Sequence, residues 1–238
     1  MQQTLTPYHG IILLKKSQSI ELVDGTIHAT LCAMAIEAFL QDLRSYYQSF
    51  ERLRPYATTK TLGYLFNSTE EVRNTGGGAI ISGRLEMLCE CEKELAVTIE
   101  DLERKPLHEK YEAVIKLLNP SWKKGSDETY KNFRILIGLR NSLVHLKSYE
   151  LDLNNEGEII IPKCIQKRLP NLKVNSGKQQ NSWIEALDRN DVIKWSRTTT
   201  HNMIIRVLKL LPDTPITNNL REDYYSNLHF LETRTPTQ

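Results

Sequence analysis

Three polar residues whose types suit them to chemistry lie close together on one predicted helix: Arg140, Asn141 and His145. Asn141 and His145 are four positions apart, so their side chains can meet on one face of that helix. The other residues on the side of Arg140 are apolar, namely Phe133, Ile137 and Val144. A permanently charged guanidinium among apolar neighbours needs a partner acid, a subunit interface or a phosphate. The pattern predicts a narrow polar notch beside an apolar core.

Gly138 and Arg134 continue the stripe formed by Asn141 and His145. A glycine inside a helix lowers helix propensity by up to about 1 kcal/mol, and in return it leaves room for something to approach the backbone closely. A separate stripe of the same helix consists of leucines and is predicted to be core: Leu136, Leu139, Leu143 and Leu146.

The helix that carries these residues is predicted over about residues 127–146. Ser126 offers a capping hydroxyl, and Asp127 and Glu128 place negative charge in the first turn, where the helix dipole favours it. Apolar residues at three- and four-residue steps predict further helices at about 26–50, 84–105, 111–118 and 191–211. In the first of these, the predicted buried stripe contains Ile27, Leu31, Met34, Ala35, Phe39 and Leu43. Prolines separate the helices, so the predicted fold is mainly all-α, an antiparallel four- to five-helix bundle.

A single domain is predicted over residues 1–238, with a helical core at about 26–211. Residues 1–25 are predicted to be irregular, with brief strands, and residues 212–238 to form a loosely ordered tail. Alternating apolar residues predict a minor β-hairpin within residues 149–161.

Three segments exceed a minimal helical bundle: residues 1–25, 55–83 and 148–182. The second of them contains the glycines at 76–78, which are predicted to be a flexible loop. They lack the Lys-Ser or Lys-Thr pair that a phosphate-binding P-loop requires. No role is assigned to these segments, and we expect them to hold whatever specificity the protein has.

Composition limits the classes of function. The net charge is only +2, so any contact with nucleic acid must come from a local basic patch. The apolar run Ile11–Leu14 is too short for a signal peptide or a membrane span, so we expect a cytoplasmic protein with no membrane contact. The four cysteines, Cys32, Cys89, Cys91 and Cys164, lack paired C-x-x-C spacing. They are expected to be reduced, with no metal site and no cofactor.

Residues 159–184 contain no acid and five basic residues: Lys163, Lys167, Arg168, Lys173 and Lys178. One interpretation is a loop that follows the phosphates of RNA beside the notch. The other is an ordinary solvated loop. The sequence leaves both open.

The motif Arg140-Asn141-x-x-x-His145, after the apolar run from Phe133 to Leu139, resembles the signature of HEPN-domain proteins. That signature has the form Arg-x4-His, with Asn favoured after Arg. Ala35-Ile36-Glu37-Ala38-Phe39-Leu40 resembles the opening helix of the family, and the stretch from Leu107 to Asn119 resembles its segment before the motif. A closing helix with Trp195 also fits, so the resemblance covers about residues 26–211.

The resemblance implies a helical bundle that forms a homodimer through the motif helices and cleaves RNA without a metal. Arg140 would hold the scissile phosphate and stabilise its growing negative charge. His145 would move the proton of the attacking 2′-hydroxyl or of the leaving oxygen, and Asn141 would orient His145 or contact the phosphate. The products would carry a 2′,3′-cyclic phosphate. Family members of this kind are often toxins or antiphage defence effectors, which makes an antitoxin or other defence partner an expected companion.

The same residues also have structural interpretations. Arg140 can form an ion pair with Glu37 or another acid of the first predicted helix, and His145 can interact with the C-terminal end of the helix dipole. Asn141 can be a buried amide that fixes helix pairing. Together these describe a non-catalytic HEPN-like module that binds RNA, a nucleotide or a protein. A third option is a structural helical subunit of a larger complex.

Overall fold

The computed structural model describes residues 8–19, 24–52, 78–81, 84–144, 184 and 187–232. Within these residues the protein is mainly helical, with seven α-helices and one two-stranded sheet. The helices are α1 His9–Ser19, α2 Gly25–Arg52, α3 Glu90–Asp101, α4 Leu107–Leu118, α5 Glu128–Val144, α6 Asn190–Leu210 and α7 Pro215–Glu232. Strands β1 Gly78–Ile81 and β2 Arg84–Met87 pair in antiparallel fashion, with Gly78 opposite Met87. Among the helices described, none combines the length and the apolar character that crossing a bilayer requires.

The chain divides into two compact units, and each combines segments that are distant in sequence. We call the unit formed by residues 9–37 and 123–206 the motif unit, because it contains Arg140. The other unit, formed by residues 1–8, 38–122 and 207–238, is called the hairpin unit, because it contains β1 and β2. Helices α2 and α6 contribute residues to both units.

Specific polar contacts join the helices of the motif unit. The guanidinium of Arg197 on α6 donates to the carbonyl of Ser17 near the C-terminal end of α1, at 2.7 Å. The hydroxyl of Thr200 donates to the carbonyl of Cys32 on α2, at 3.3 Å. The backbone N–H of Gly25 donates to the carboxylate of Asp188, at 2.9 Å, just before α6 begins. These contacts fix α1 and α2 against α6.

Helix α5 begins where the sequence predicts, but a different residue caps it. Asp127 accepts a hydrogen bond from the backbone N–H of Tyr130 at 3.1 Å, whereas the hydroxyl of Ser126 donates to the carbonyl of Lys123. The expected capping hydroxyl is therefore wrong, and the carboxylate next to it performs that role. The predicted leucine stripe is confirmed at three positions, since Leu136, Leu139 and Leu143 are all buried; Leu146 lies outside the described residues.

A buried carboxylate organises the hairpin unit. Glu92 is fully buried and accepts the backbone N–H of Cys89 at 2.7 Å, which closes the first turn of α3. It also accepts the hydroxyls of Thr214 and Thr217 at the start of α7. One carboxylate thus satisfies the N-terminal ends of two helices, where the helix dipole favours negative charge.

The predicted irregular segment 1–25 is wrong where the structure describes it, because residues 9–19 form α1. Gly10, Ile11, Leu14 and Ser17 are buried, and their three- and four-residue steps give a single helical face. Two of the four are small or polar, so the apolar period is hidden in the sequence. The predicted strand at 20–23 lies outside the described residues.

The predicted loose tail 212–238 is also wrong over most of its length. Helix α7 buries Ile216, Leu220, Tyr224 and Leu228, four residues at regular four-residue steps. Pro215 is the first residue of the helix, a position where its missing N–H costs nothing and its fixed φ is favourable. The prolines and threonines of this segment favour a loose tail in the sequence, and so the helix was not predicted.

Two further predictions need correction. The helix expected over 84–105 begins only at Glu90, because residues 84–87 form β2. The stripe expected on α2 is only half right, since Ile27 and Met34 are 43% and 40% exposed. Small residues, Ala29, Cys32 and Ala33, are buried instead and allow close approach of neighbouring elements. The predicted hairpin at 149–161 lies outside the described residues.

Candidate active site

The outer face of α5 presents Arg134, Gly138 and Asn141 in one row, at steps of four and three residues. Arg134 and Asn141 are exposed. Apart from the helix's own backbone, a Cβ atom placed on Gly138 would meet no heavy atom of the described residues within 4 Å, so none of them covers this residue. The hydroxyl of Ser142 donates to the carbonyl of Gly138 at 3.0 Å. The row is therefore an accessible polar strip with a gap at its centre.

Arg140 lies at the edge of this strip, between core and solvent. Of its predicted apolar neighbours, Phe133 and Ile137 are buried, whereas Val144 is 53% exposed. The side chain of Arg140 itself is 31% exposed. An arginine in this position can lay its carbon stem along apolar surface and keep its guanidinium in contact with water.

Among the described residues, two side chains contact the guanidinium of Arg140. Its Nη1 donates to the side-chain oxygen of Asn141 at 3.1 Å, and its Nη2 lies 3.8 Å from the carboxylate of Glu37 on α2. The structure thus brings Arg140 together with Asn141 and with Glu37, the acid that the sequence suggested as a structural partner. Asn141 is exposed, so the interpretation as a buried amide is wrong.

The contact between Arg140 and Glu37 is a weak ion pair. At 3.8 Å it is longer than a hydrogen bond, and the side chain of Glu37 is 45% exposed. Exposed pairs of this kind contribute about 0.2–1 kcal/mol to stability. By contrast, Arg206 in the same unit lies 2.8 Å from Asp127, whose side chain is only 4% exposed. Glu37 therefore orients Arg140 without neutralising it in a buried environment.

The other predicted site residues lie outside the described residues. These are His145, which follows the last described residue of α5, and the basic residues Lys163, Lys167 and Arg168. The expected contact between Asn141 and His145 stays a prediction, and so does the basic loop.

A buried histidine in the motif unit was not predicted from the sequence. His28 on α2 is fully buried, and neither ring nitrogen has a hydrogen-bond partner among the described residues. Burial lowers the pKa of His28 to about 4, and the positive charge of Arg197 adds to this effect. The signal in the sequence is faint, because His28 stands among small residues whose burial the periodicity does not reveal.

In the part of the chain that the structure describes, no group of three or more His, Cys, Asp or Glu side chains is arranged to hold a metal ion. Comparisons of the chain with protein-family models, curated proteins and solved structures found no match.

Proposed function

We propose that this protein is a metal-independent endoribonuclease of the HEPN type, with the antiparallel helical bundle of that family and a homodimer through α5. The 2′-oxygen of the substrate forms a bond to the adjacent phosphorus while the bond from phosphorus to the 5′-oxygen breaks, which leaves a 2′,3′-cyclic phosphate and a 5′-hydroxyl. The proposed biological role is a cytoplasmic toxin or antiphage effector, restrained by an antitoxin or another defence partner.

One observation carries the proposal: its neighbours orient the guanidinium of Arg140 but leave part of it accessible to a ligand. Asn141 takes one of its donors, Glu37 contacts it beyond hydrogen-bond length, and about a third of the side chain faces solvent. A phosphodiester offers two oxygens that suit the planar guanidinium fork better than a single distant carboxylate. On the same helix, a Cβ at Gly138 would meet no heavy atom of the described residues within 4 Å, so a substrate can come close to the backbone there.

The residues divide the chemistry among themselves. Arg140 binds the scissile phosphate and stabilises the additional charge that develops on it during attack. His145, four residues after Asn141 in the sequence, accepts the proton of the attacking 2′-hydroxyl or donates one to the leaving 5′-oxygen, since an imidazole can do either near neutral pH. Asn141 keeps the guanidinium in place, and Arg134, Lys163, Lys167 and Arg168 contact flanking phosphates.

The alternative is a non-catalytic HEPN-like module that binds RNA, a nucleotide or a protein partner. The contact of Arg140 with Glu37 favours it, because even a loose ion pair gives the arginine a structural role. In that case, binding without cleavage is expected, and it should weaken with salt if the ligand is RNA.

The test is incubation of the full chain with total RNA in excess EDTA, followed by analysis of the ends. We compare the wild type with Arg140→Ala, His145→Ala and the control Arg189→Ala, whose guanidinium pairs with Asp191 at 2.7 Å on the same unit. Cleavage to cyclic phosphate ends by the wild type and R189A, but not by R140A or H145A, is expected. Absence of cleavage by folded wild-type protein, together with salt-sensitive RNA binding, selects the binding module. Cleavage that survives in R140A overturns the assigned site.

A further inference from the structure

We propose that Glu37 is a built-in competitor for the phosphate at Arg140, so that a bound phosphodiester displaces this carboxylate from the guanidinium. The inference rests on the proposed function only in assigning Arg140 to an RNA phosphate. It adds that the free site is partly occupied by the protein's own negative charge, and that this charge sets the affinity for RNA.

The geometry of the pair suits displacement. The Nη2 of Arg140 and the carboxylate of Glu37 are 3.8 Å apart, with side chains 31% and 45% exposed. Water therefore reaches both groups, and Glu37 can rotate away without burying an unpaired charge. No hydrogen bond between the two has to be broken, because the distance exceeds hydrogen-bond length.

Two other arginines of the motif unit form closer ion pairs with their acidic partners. Arg206 lies 2.8 Å from the buried carboxylate of Asp127. Arg189 makes a two-point contact with Asp191, at 3.0 Å and 2.7 Å. Within the described residues, by contrast, Arg140 donates one hydrogen bond to the neutral amide oxygen of Asn141 and makes a longer contact with Glu37. The chain thus builds close ion pairs at Arg189 and Arg206 and a loose one at Arg140.

A phosphodiester competes for the same guanidinium donors with better geometry. Arginine and phosphate form charge-assisted, two-point hydrogen bonds, whereas Glu37 makes none with Arg140. The side chain of Arg140 is 31% exposed, so a ligand can reach the guanidinium from solvent. Glu37 then leaves toward solvent, and its charge no longer opposes the phosphate at contact distance.

Removing the charge of Glu37 should therefore tighten RNA binding. Two unit charges about 4 Å apart in water interact by about 1 kcal/mol, which corresponds to about fivefold in a dissociation constant. Glu37→Gln keeps the shape of the side chain and deletes its charge. We expect E37Q to bind single-stranded RNA about three- to fivefold more tightly than the wild type at low salt.

The experiment measures fluorescence anisotropy of a short single-stranded 2′-O-methyl RNA, which lacks the attacking hydroxyl and so reports binding without cleavage. The proteins are the wild type, E37Q, Arg140→Ala and the double variant E37Q/R140A, each checked for folding by circular dichroism. Glu128→Gln is the matched control, because it also removes one exposed carboxylate from the motif unit, where Glu128 pairs with Lys131 at 3.3 Å.

The expected result is tightening by E37Q, a smaller change in E128Q, and no effect of E37Q once Arg140 is absent. Equal tightening in E37Q and E128Q would mean a general charge effect and would overturn the proposal. Persistence of the E37Q effect in the R140A background would overturn it too, as would weakened binding or no binding by both wild type and E37Q.

The outcome is separable from the proposed function. If E37Q tightens binding through Arg140 while no variant cleaves unmodified RNA, the competitor role stands and the ribonuclease assignment fails. If the wild type cleaves RNA and E37Q binds no more tightly, the ribonuclease assignment stands and the competitor role fails.

Discussion

The carboxylate of Asp127 lies 2.8 Å from the guanidinium of Arg206 on α6 while its Oδ1 accepts the backbone N–H of Tyr130. One buried side chain thus starts the helix that carries Arg140 and ties that start to α6. The position of the candidate site therefore depends on a contact at the opposite end of α5.

Asp127→Ala should lower the free energy of unfolding by about 2 kcal/mol, because it removes a helix cap and leaves Arg206 without its close partner. The control Glu128→Ala removes an exposed acid from the next position and should change stability by less than about 1 kcal/mol. Urea denaturation followed by circular dichroism measures both. Similar losses in the two variants would contradict the assigned role of Asp127.

Gly138→Ala should separate stability from activity. Apart from the helix's own backbone, the added methyl group meets no heavy atom of the described residues within 4 Å. Alanine favours the helix by about 1 kcal/mol, so the melting temperature should rise. RNA cleavage should fall, because the methyl group occupies the space that we assign to the substrate. Thermal melts and initial cleavage rates test the two effects. A stabilised variant with unchanged cleavage would show that nothing approaches the backbone at Gly138.

Gly25→Ala should have the opposite effect on stability. A Cβ atom at Gly25 would lie 1.8 Å from the carbonyl oxygen of Leu187, which is backbone and cannot rotate away. We expect a loss of about 3 kcal/mol or more in the free energy of unfolding. Gly125→Ala is the control, since its added Cβ meets nothing within 4 Å. Equal denaturation midpoints for the two variants would refute the close approach.

His28 should make the folded protein sensitive to mild acid. Its pKa is lowered from 6.5 to about 4 by burial and by Arg197, while Asp24 acts in the opposite direction. Between these two pH values the unfolded chain binds a proton that the folded chain does not, so stability falls as the pH decreases from about 6.5 to about 4. The full difference corresponds to about 3 kcal/mol.

The variant His28→Leu should flatten this pH dependence, since it removes the titrating group. Urea midpoints measured at half-unit steps between pH 4 and pH 7 provide the comparison. An unchanged slope in H28L would assign the acid sensitivity to other groups.

The central part of the candidate site could be predicted from sequence because it lies on one regular helix. The leucine stripe of α5 fixes which face is buried, and that face places Arg140 at the edge and Arg134 outside. The pairing with Glu37 was also open to prediction as one alternative. The choice of Glu37 over other acids was not, because it depends on how α2 lies against α5.

Other features of the structure were not predicted from the sequence, because they depend on residues distant in the chain or on buried residues that are not apolar. Helix α1 buries Gly10 and Ser17 beside two apolar residues, so its period is half hidden. His28 is buried without a hydrogen-bond partner among the described residues, which no rule of residue preference would suggest. For α7 the apolar period is present in the sequence, but Pro215, Pro236 and several threonines favoured a loose tail, whereas Pro215 is in fact the first residue of the helix.

The shared cap at Glu92 has a consequence for the order of events during synthesis. The hydroxyl of Thr217 that reaches this carboxylate is 125 positions further along the chain. On the ribosome, Glu92 is made long before its partner, and α7 must leave the exit tunnel before the carboxylate is satisfied. The hairpin unit therefore completes its folding only after translation of α7. Until then its core is incomplete, although α5 with Arg140 has already been synthesised.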